Sequence, residues 1–543
     1  MANRLQKTIQ VLARTRNRAV LPLLAAGLQS NSPQIRAAAI RATLQRVDLE
    51  SHSRLIRHFT RLGEAERAIL SEAHRAMPHH AAPALKAALV ARDTRLCDNA
   101  CQMILLCNDF DSLPALLKAA DKQQQAQAIQ IAATILQLAE RLHERLTAWA
   151  AGERAKADPT FVRHHVLAAL TRSLGHAKHV HSEILEAFLL LAPSDDATLL
   201  RILRDSQHAC HAKLVTVLTA SVRQSTFERL VALLCDTDAP AAALEALASR
   251  IDPPFVEFLL QSLRHPVPLR VLHNMKRLRS IAWLESHREM LLDLDGRSQA
   301  LAVELAAASV MERSAFFDLL VLLVREGLAE GRRAACSALA KFDEPLTDML
   351  VLAALDDPDA GVQAAAARQL RPRRLPEALK TLVSLLDSPS VEVRDAARSS
   401  LAEFNFVRYR TMFDHLDENA ARTTGVLVHK VDDTAIAGLI AELALPAISS
   451  RLRGIEMAVA MQATQDVLEP LVELAQHENA SVRREAIAAL GGCTGPQVLE
   501  VLERATDDAN GSIAATAQQS LARHRQRAAG IAGEQAASAG GVA

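Results

Sequence analysis

The sequence predicts an all-α protein, an extended α-α solenoid of about sixteen helical repeats. The first observation is composition, because hydrophobic residues make up 50% of the chain but aromatic residues only 3%. The core must therefore be built from Ala, Leu, Val and Ile, and Ala and Leu are strong helix formers. Strands are richer in aromatic and β-branched residues. The second observation is a pattern that returns about every 31 residues, as expected of repeated helix pairs.

The repeat is clearest in the C-terminal half of the chain. Pro358 and Pro389 are 31 positions apart, and so are Val362 and Val393. An Ala and a Leu follow each Val after four and eight positions, so these residues share one helical face. Asp, Ser, Asn or Pro just before the Val predicts a turn and a helix cap. Each unit is thus a helix, a short turn and a second helix, and neighbouring units must stack to bury their apolar faces.

We call the first apolar or small position of this pattern the anchor. Anchors can be followed through most of the chain. They fall near 35, 66, 96, 127, 162, 210, 242, 269, 300, 331, 362, 393, 421, 452, 482 and 513. The step from 162 to 210 is too long for one repeat and too short for two. It predicts an irregular insertion or lengthened helices between residues 171 and 205.

The regularity of the pattern divides the chain into five predicted segments. The last of them is small, Gly-rich and weakly patterned, which is typical of a flexible tail. The segments are basic N-terminal repeats (1–170), an irregular segment (171–205), degenerate middle repeats (206–343), regular C-terminal repeats (344–527) and the tail (528–543).

Charged residues recur at two places in the repeat. A basic residue often follows the anchor, and an aspartate can lie six positions before it. This pattern resembles HEAT repeats, including the HEAT-like repeats of bilin lyases, and a bacterial member of that group is expected. The resemblance implies a structural ladder of Asp–Arg contacts between successive turns. The expected ladder residues are Asp356, Asp387, Arg394, Arg453, Arg483 and Asp507.

Charge is spread unevenly along the chain although the formal net charge is zero. Residues 1–61 hold eleven Lys and Arg but only two acids, Asp48 and Glu50, so the remainder of the chain is net acidic. A solvated basic helix face would explain this bias, and so would a docking site for an acidic partner. The predicted partner-binding residues are Arg4, Lys7, Arg14, Arg16, Arg18, Arg36 and Arg41.

The favoured function is a non-catalytic scaffold or adaptor that presents a solenoid surface to a protein partner. No phosphate-binding loop, nucleophile elbow or zinc-protease motif occurs in the sequence, so no catalytic residue and no cofactor are expected. Seven scattered cysteines suit a reducing compartment, and no apolar run reaches the roughly 18 residues of a membrane span. A cytoplasmic protein is therefore expected.

Two other function classes stay open. The basic N-terminal repeats could contact nucleic acid, although aromatic residues for base stacking are scarce. The other class is a metal-binding or lyase-like HEAT enzyme, since His176, His179 and His181 could offer imidazoles to a metal ion. The stretch VRREAIAALGG resembles the repeats of deoxyhypusine hydroxylases, which are HEAT-like di-iron enzymes. Arg484 stands where that family has a ligand histidine, and a guanidinium has no lone pair for iron.

Overall fold

The computed structural model describes residues 2–15, 17–123, 125–152, 158–175 and 180–539. Throughout these ranges the regular elements are helices, and no strand occurs among them. The chain divides into two compact units. We call them the N-terminal unit (residues 1–294 and 304–319) and the C-terminal unit (residues 295–303 and 320–543).

The N-terminal unit contains eighteen complete α-helices in its described residues. They are α1 (Ala2–Arg14), α2 (Val20–Leu28), α3 (Pro33–Gln45), α4 (Leu49–His58), α5 (Glu64–Ala76), α6 (Pro78–Leu89), α7 (Thr94–Cys107), α8 (Leu113–Ala120), α9 (Gln125–Ala150), α10 (Pro159–Leu174), α11 (Ser182–Leu191), α12 (Ala197–Arg204), α13 (His211–Ala220), α14 (Gln224–Leu234), α15 (Ala241–Ser249), α16 (Pro253–Ser262), α17 (Leu269–Met275) and α18 (Ala282–Glu285).

Two further helices, α19 (Gly296–Ala308) and α20 (Arg313–Glu326), contribute residues to both units. The remaining helices belong to the C-terminal unit. They are α21 (Ala329–Ala338), α22 (Pro345–Ala353), α23 (Ala360–Leu370), α24 (Ala378–Leu385), α25 (Val391–Ser400), α26 (Phe406–Met412), α27 (Glu418–Val431), α28 (Ala435–Leu443), α29 (Ile448–Ala460), α30 (Leu468–Leu474), α31 (Ala480–Leu490), α32 (Pro496–Ala505) and α33 (Gly511–Ala539).

Helices alternate between two layers within each unit. In the N-terminal unit, α3 packs against α1 and α5, while α4 packs against α2 and α6. In the C-terminal unit, α23 packs against α21 and α25, and α29 packs against α27 and α31. Each of these helices therefore packs against the equivalent helix of the next repeat, two helices along the chain, as well as against its neighbour in sequence. This stacking confirms the predicted all-α solenoid.

The predicted anchors lie at the beginnings of helices. The anchor is the third helical residue in α3, α5, α7, α9, α21, α23, α25, α31 and α33. Val362 and Val482 are buried, and a polar residue three positions earlier caps each of their helices. The side chain of Asp359 accepts from the Val362 amide at 3.0 Å, and that of Asn479 accepts from the Val482 amide at 3.3 Å. The polar turn residue thus caps the helix, and the anchor packs the first turn of that helix into the core.

A buried arginine joins two successive repeats in the N-terminal unit. Arg250 directly follows α15 and is 2% exposed. Its guanidinium donates to the carbonyls of Leu218 and Ser221, at the end of α13, at 2.7 and 2.8 Å. It also donates to both carboxylate oxygens of Asp252 at 2.9 and 2.7 Å. The Arg250 side chain therefore supplies donors to carbonyls at the end of a helix one repeat earlier. Its charge is neutralised by Asp252.

The first repeats contain the same arrangement. Arg46 follows α3 and donates to the carbonyls of Leu12 and Thr15 at 3.1 and 2.6 Å, and to Asp48 at 2.5 Å. Asp48 also caps α4 by accepting from the Ser51 amide at 2.7 Å. In both places the sequence is Arg, a β-branched residue and Asp, so this motif marks the start of a repeat junction.

The predicted irregular segment and tail both contain helical backbone. Residues 171–205 include the end of α10 and the helices α11 and α12, and residues 176–179 lie outside the described residues. Residues 528–539 continue α33, since the Ala, Gln and Glu among them are good helix formers. The flexibility of the tail and the boundaries of the five segments stay predictions. No described helix is both long and apolar enough to cross a membrane.

The buried arginine gives a test of the junction. Arg250→Met keeps the apolar stem but leaves two buried carbonyls and Asp252 without their donor. We expect it to lower the local free energy of unfolding by about 3–5 kcal/mol, measured by amide hydrogen exchange in α13–α16. Arg204→Met is the matched control, because Arg204 pairs with Asp238 at 3.1 Å and its side chain is 52% exposed. The control should lose less than about 1 kcal/mol. Equal losses in the two variants would contradict the assignment.

Candidate interaction surface

Four of the seven predicted partner-binding residues have exposed side chains. Lys7 and Arg14 lie on α1, Arg18 precedes α2 and Arg41 lies on α3. None of the four forms an ion pair with another residue that the structure describes. Because α1 packs against α3, the repeats that carry these cations are adjacent. Of the other three predicted residues, Arg4 is described only in its backbone and Arg16 lies outside the described residues.

Arg36, the last of the seven, is held inside the repeat array. Its guanidinium donates to the Ser30 carbonyl at 2.7 Å and pairs with Glu66 at 2.7 Å. Glu66 also accepts from the Gly63 amide at 2.6 Å at the start of α5. The hydrogen bond from Arg36 lowers the pKa of Glu66 in spite of the burial that opposes this shift. Arg36 therefore links the turn before α3 to the start of α5, and we assign it to the repeat ladder.

Two more contacts of this kind occur in the C-terminal unit. Arg332 donates to both carboxylate oxygens of Asp357 at 2.8 and 2.9 Å. Arg483 pairs with Asp508 at 3.2 Å. In each pair the arginine follows the anchor of one repeat and the acid lies in the next inter-helix turn, 25 residues later. The ladder is thus an Arg–carboxylate contact between successive turns.

The carboxylate of the ladder is one position later than predicted. Asp356 and Asp507, the expected acids, are exposed, and the residue after each makes the contact. Local backbone geometry explains the difference. Asp357 and Asp508 each accept from a backbone amide two residues later at 2.8 Å, which fixes the carboxylate inside the turn. Burial opposes ionisation of Asp357, but hydrogen bonds from Arg332 and that amide lower its pKa overall.

The other predicted ladder residues make different contacts. Asp387 binds Lys430 at 2.8 Å rather than an arginine. Arg394 donates to the Ser388 carbonyl of its own turn at 2.6 Å. Arg453 pairs with the buried Glu442 at 2.5 Å. Arg394 thus keeps the contact with a carbonyl of its own turn that Arg36 also makes, whereas Arg453 pairs with a different carboxylate.

The structure also reveals a basic cleft that the sequence analysis did not select. Arg54, Arg57 and Arg61 occupy positions i, i+3 and i+7 along α4 and the 3-10 turn Phe59–Arg61 that extends it. Residues at this spacing share one helical face. We call the site the α4 cleft, and its volume is about 320 Å³. It is lined by Ala25, Leu28, Gln29, Arg54, Arg57, His58 and Arg61.

The charge of the α4 cleft is mostly uncompensated. Arg54 pairs with Glu50 at 2.7 Å, an exposed contact that contributes little. Arg57 and Arg61 have no ion pair within the described part of the chain. Burial and the charge of Arg61 lower the pKa of His58, so this imidazole is neutral at neutral pH. The spacing of the three arginines was visible in the sequence, but counting charge by segment does not show which charges share a face.

The predicted histidine cluster lies only partly within the described residues. His176 and His179 lie outside the described residues, so the predicted cluster is described only at His181. Within the described ranges, no group of three or more His, Cys, Asp or Glu side chains is placed to hold a metal ion. Near Cys210, the Nδ1 atom of His211 lies 2.7 Å from the Ile202 carbonyl, a contact that occupies this ring atom within its own repeat.

Comparison with known proteins identifies the repeats. A family model described as HEAT repeats matches residues 318–402 and 436–522. These two segments of the chain are HEAT repeats. The ladder contacts Arg332–Asp357 and Arg483–Asp508 lie inside them. The match confirms the predicted family, and its bacterial type stays a prediction. A comparison with curated protein sequences gives no match.

Solved structures similar to this chain are known at low sequence identity. An engineered protein is 15% identical, with 93% of this chain and 98% of that chain covered and a TM-score of 0.17. A structure concerning the interaction between cadherin and β-catenin is 14% identical, with coverage of 93% and 99% and a TM-score of 0.31. The karyopherin Kap121p bound to the SUMO protease Ulp1p is 13% identical, with coverage of 92% and 57% and a TM-score of 0.24.

The adjacent acids 356 and 357 provide an internal test of the ladder. Asp357→Asn should lower the local free energy of unfolding by about 1–3 kcal/mol, because Arg332 loses its charged acceptor. Asp356→Asn, the matched control, should change it by less than about 0.5 kcal/mol. Amide hydrogen exchange in α21–α23 measures both.

The stability difference between wild type and Asp357→Asn should depend on pH, because the pKa of Asp357 is lowered in the folded protein. A carboxyl group whose pKa falls on folding stabilises the protein above its unfolded pKa, and this contribution is lost as the pH falls below about 3.8. The difference between wild type and Asp357→Asn should therefore shrink in acid. Equal losses from the two substitutions at neutral pH would show that Asp357 is not the ladder acid.

Proposed function

We propose that this protein is a non-catalytic interaction scaffold whose first repeats bind an acidic region of a protein partner. The observation that supports this most strongly is the surface charge of residues 1–61. Lys7, Arg14, Arg18 and Arg41 are exposed and lack acidic partners in the described residues. A binding role uses these side chains, which the repeat array itself does not need.

The local acids cannot neutralise this surface. The only two acids among residues 1–61 are Asp48 and Glu50. Asp48 is engaged by the buried Arg46, and Glu50 by Arg54. Glu66 from the next repeat is engaged by Arg36. Each of these three carboxylates is therefore matched to another cation, and the exposed cations remain available to an anionic partner.

A nucleic acid is the second anionic partner to consider. It would use the same exposed arginines through its phosphates, and such binding depends steeply on salt. The α4 cleft has no Phe, Tyr or Trp side chain among its described lining residues on which a base could stack. We therefore favour a protein partner, and the experiment below includes duplex DNA so that either partner gives a distinct result. A cytoplasmic setting stays a prediction.

The test reverses charge at three of the exposed residues, in the variant R14E/R18E/R41E. Its binding to a labelled polyglutamate peptide should fall by about tenfold or more, and wild-type binding should weaken as salt rises. Fluorescence anisotropy with the full chain measures both. The matched control R264E/R270E/R279E makes the same change of charge at exposed arginines in the same unit, and it should bind like the wild type.

Two outcomes would overturn the proposal. Unchanged polyglutamate binding by R14E/R18E/R41E would show that these residues do not form the acidic-partner site. Tighter binding of duplex DNA than of polyglutamate at the same salt, lost in the same variant, would assign the surface to nucleic acid. A partner recovered from the native host should show the same salt sensitivity and the same loss in the variant.

A further inference from the structure

We propose that the α4 cleft binds a phosphorylated serine or threonine of the protein partner. This inference rests on the proposed scaffold function, because the phosphate is carried by the partner that the scaffold binds. It adds a second contact to the one made by Lys7, Arg14, Arg18 and Arg41. Those residues belong to α1, α3 and the segment before α2, whereas the arginines of the cleft belong to α4.

The first argument is the convergence of three guanidinium groups on a small cleft. Side chains three and four positions apart on a helix have Cβ atoms about 5–6 Å apart. Arg54, Arg57 and Arg61 therefore bring their charges into a volume of 320 Å³. No acidic side chain is among the described residues that line it. A compact anion that has several acceptor oxygens can reach more than one of these groups at the same time.

The second argument is the chemistry of the donors. A guanidinium donates two parallel hydrogen bonds to a phosphate or a carboxylate, and arginine is favoured wherever such paired recognition matters. A phosphorylated side chain carries a charge of about −1.5 to −2 at pH 7 and three strong acceptor oxygens. A carboxylate has one charge and two oxygens. The uncompensated cations, Arg57 and Arg61, thus match one phosphate monoester better than one Asp or Glu.

The walls of the cleft suit a peptide side chain rather than a free ion. Leu28 is buried at the end of α2, and Ala25 lies one turn before it. These apolar groups offer contact to the methylene or methyl group next to a phosphate ester. The end of α2 lies against α4, because these two helices pack together. The cleft therefore lies between two packed helices.

A purely structural explanation exists for cations at this place. Arg57 and His58 lie in the last turn of α4, where positive charge is favoured by the helix dipole. That effect amounts to about 0.3–1 kcal/mol for an exposed cation and falls off within one turn. It does not account for Arg54, which lies a turn earlier, or for the absence of acids from the described residues that line the cleft. The dipole explanation predicts no preference for phosphate, so binding distinguishes the two.

The experiment compares three degenerate peptide libraries that differ only at one fixed central residue: phosphoserine, glutamate or serine. The full-length chain should bind the phosphoserine library about tenfold or more tightly than the glutamate library. The variant R57Q/R61Q should bind the two equally. R57K/R61K keeps the charge but loses the paired donors, so it should retain only part of the preference. Thermal unfolding of each variant checks that the fold is intact.

The controls separate this proposal from the proposed function. R14E/R18E/R41E should keep the preference for phosphoserine while it loses polyglutamate binding. If the wild type does not distinguish phosphoserine from glutamate, or if R57Q/R61Q keeps the distinction, the phosphate proposal is wrong, whatever the polyglutamate result. Tighter binding to vesicles containing phosphatidic acid than to the phosphoserine library, lost in R57Q/R61Q, would overturn the choice of a protein ligand and assign the cleft to a lipid phosphate.

Discussion

The repeat array depends on donors for the carbonyl groups at the ends of its helices. The last turn of any helix leaves carbonyls without an intrahelical partner, and stacking removes many of them from water. A side chain from a neighbouring repeat supplies the missing donor. Arg250 does this for Leu218, Asn274 for Leu234 at 2.9 Å, and His524 for Cys493 at 2.8 Å. An unsatisfied buried acceptor costs about 1–3 kcal/mol, so each of these donors stabilises its junction.

This requirement explains how the middle repeats stack although their sequence pattern is weak. A carbonyl accepts from Arg, Asn, Gln or His alike, so the donor can change its type and its position from one junction to the next. In the C-terminal unit Gln369 donates to the Cys336 carbonyl at 2.7 Å. In the N-terminal unit Asn274 donates to both Leu234 and Asp236, and Arg277 donates to Ala239 at 2.7 Å. The geometry of the junction is kept while its sequence varies.

Features that depend on local spacing could be predicted from the sequence, and contacts between distant repeats could not. Helix pairs and anchors such as Val362 were predictable, because the spacing of apolar residues and caps is a local property. The choice of Asp357 over Asp356 was not, since it depends on which carboxylate a backbone amide holds in the turn. Arg36 was predicted to bind a partner because charge was counted along the chain. Its contact with Glu66 lies 30 residues away and requires the stacked structure.

Arginine consequently has two roles in the first repeats, and the contacts of each side chain separate them. Arg36 and Arg46 reach carbonyls and carboxylates of neighbouring repeats, so their loss would leave buried groups unpaired. Arg57 and Arg61 have exposed side chains and no such partner in the described chain. A bound anion would therefore neutralise charges on which the stacking does not depend. The proposed binding site and the repeat contacts thus use different arginines, and a substitution in the α4 cleft should change ligand binding without changing the repeat array.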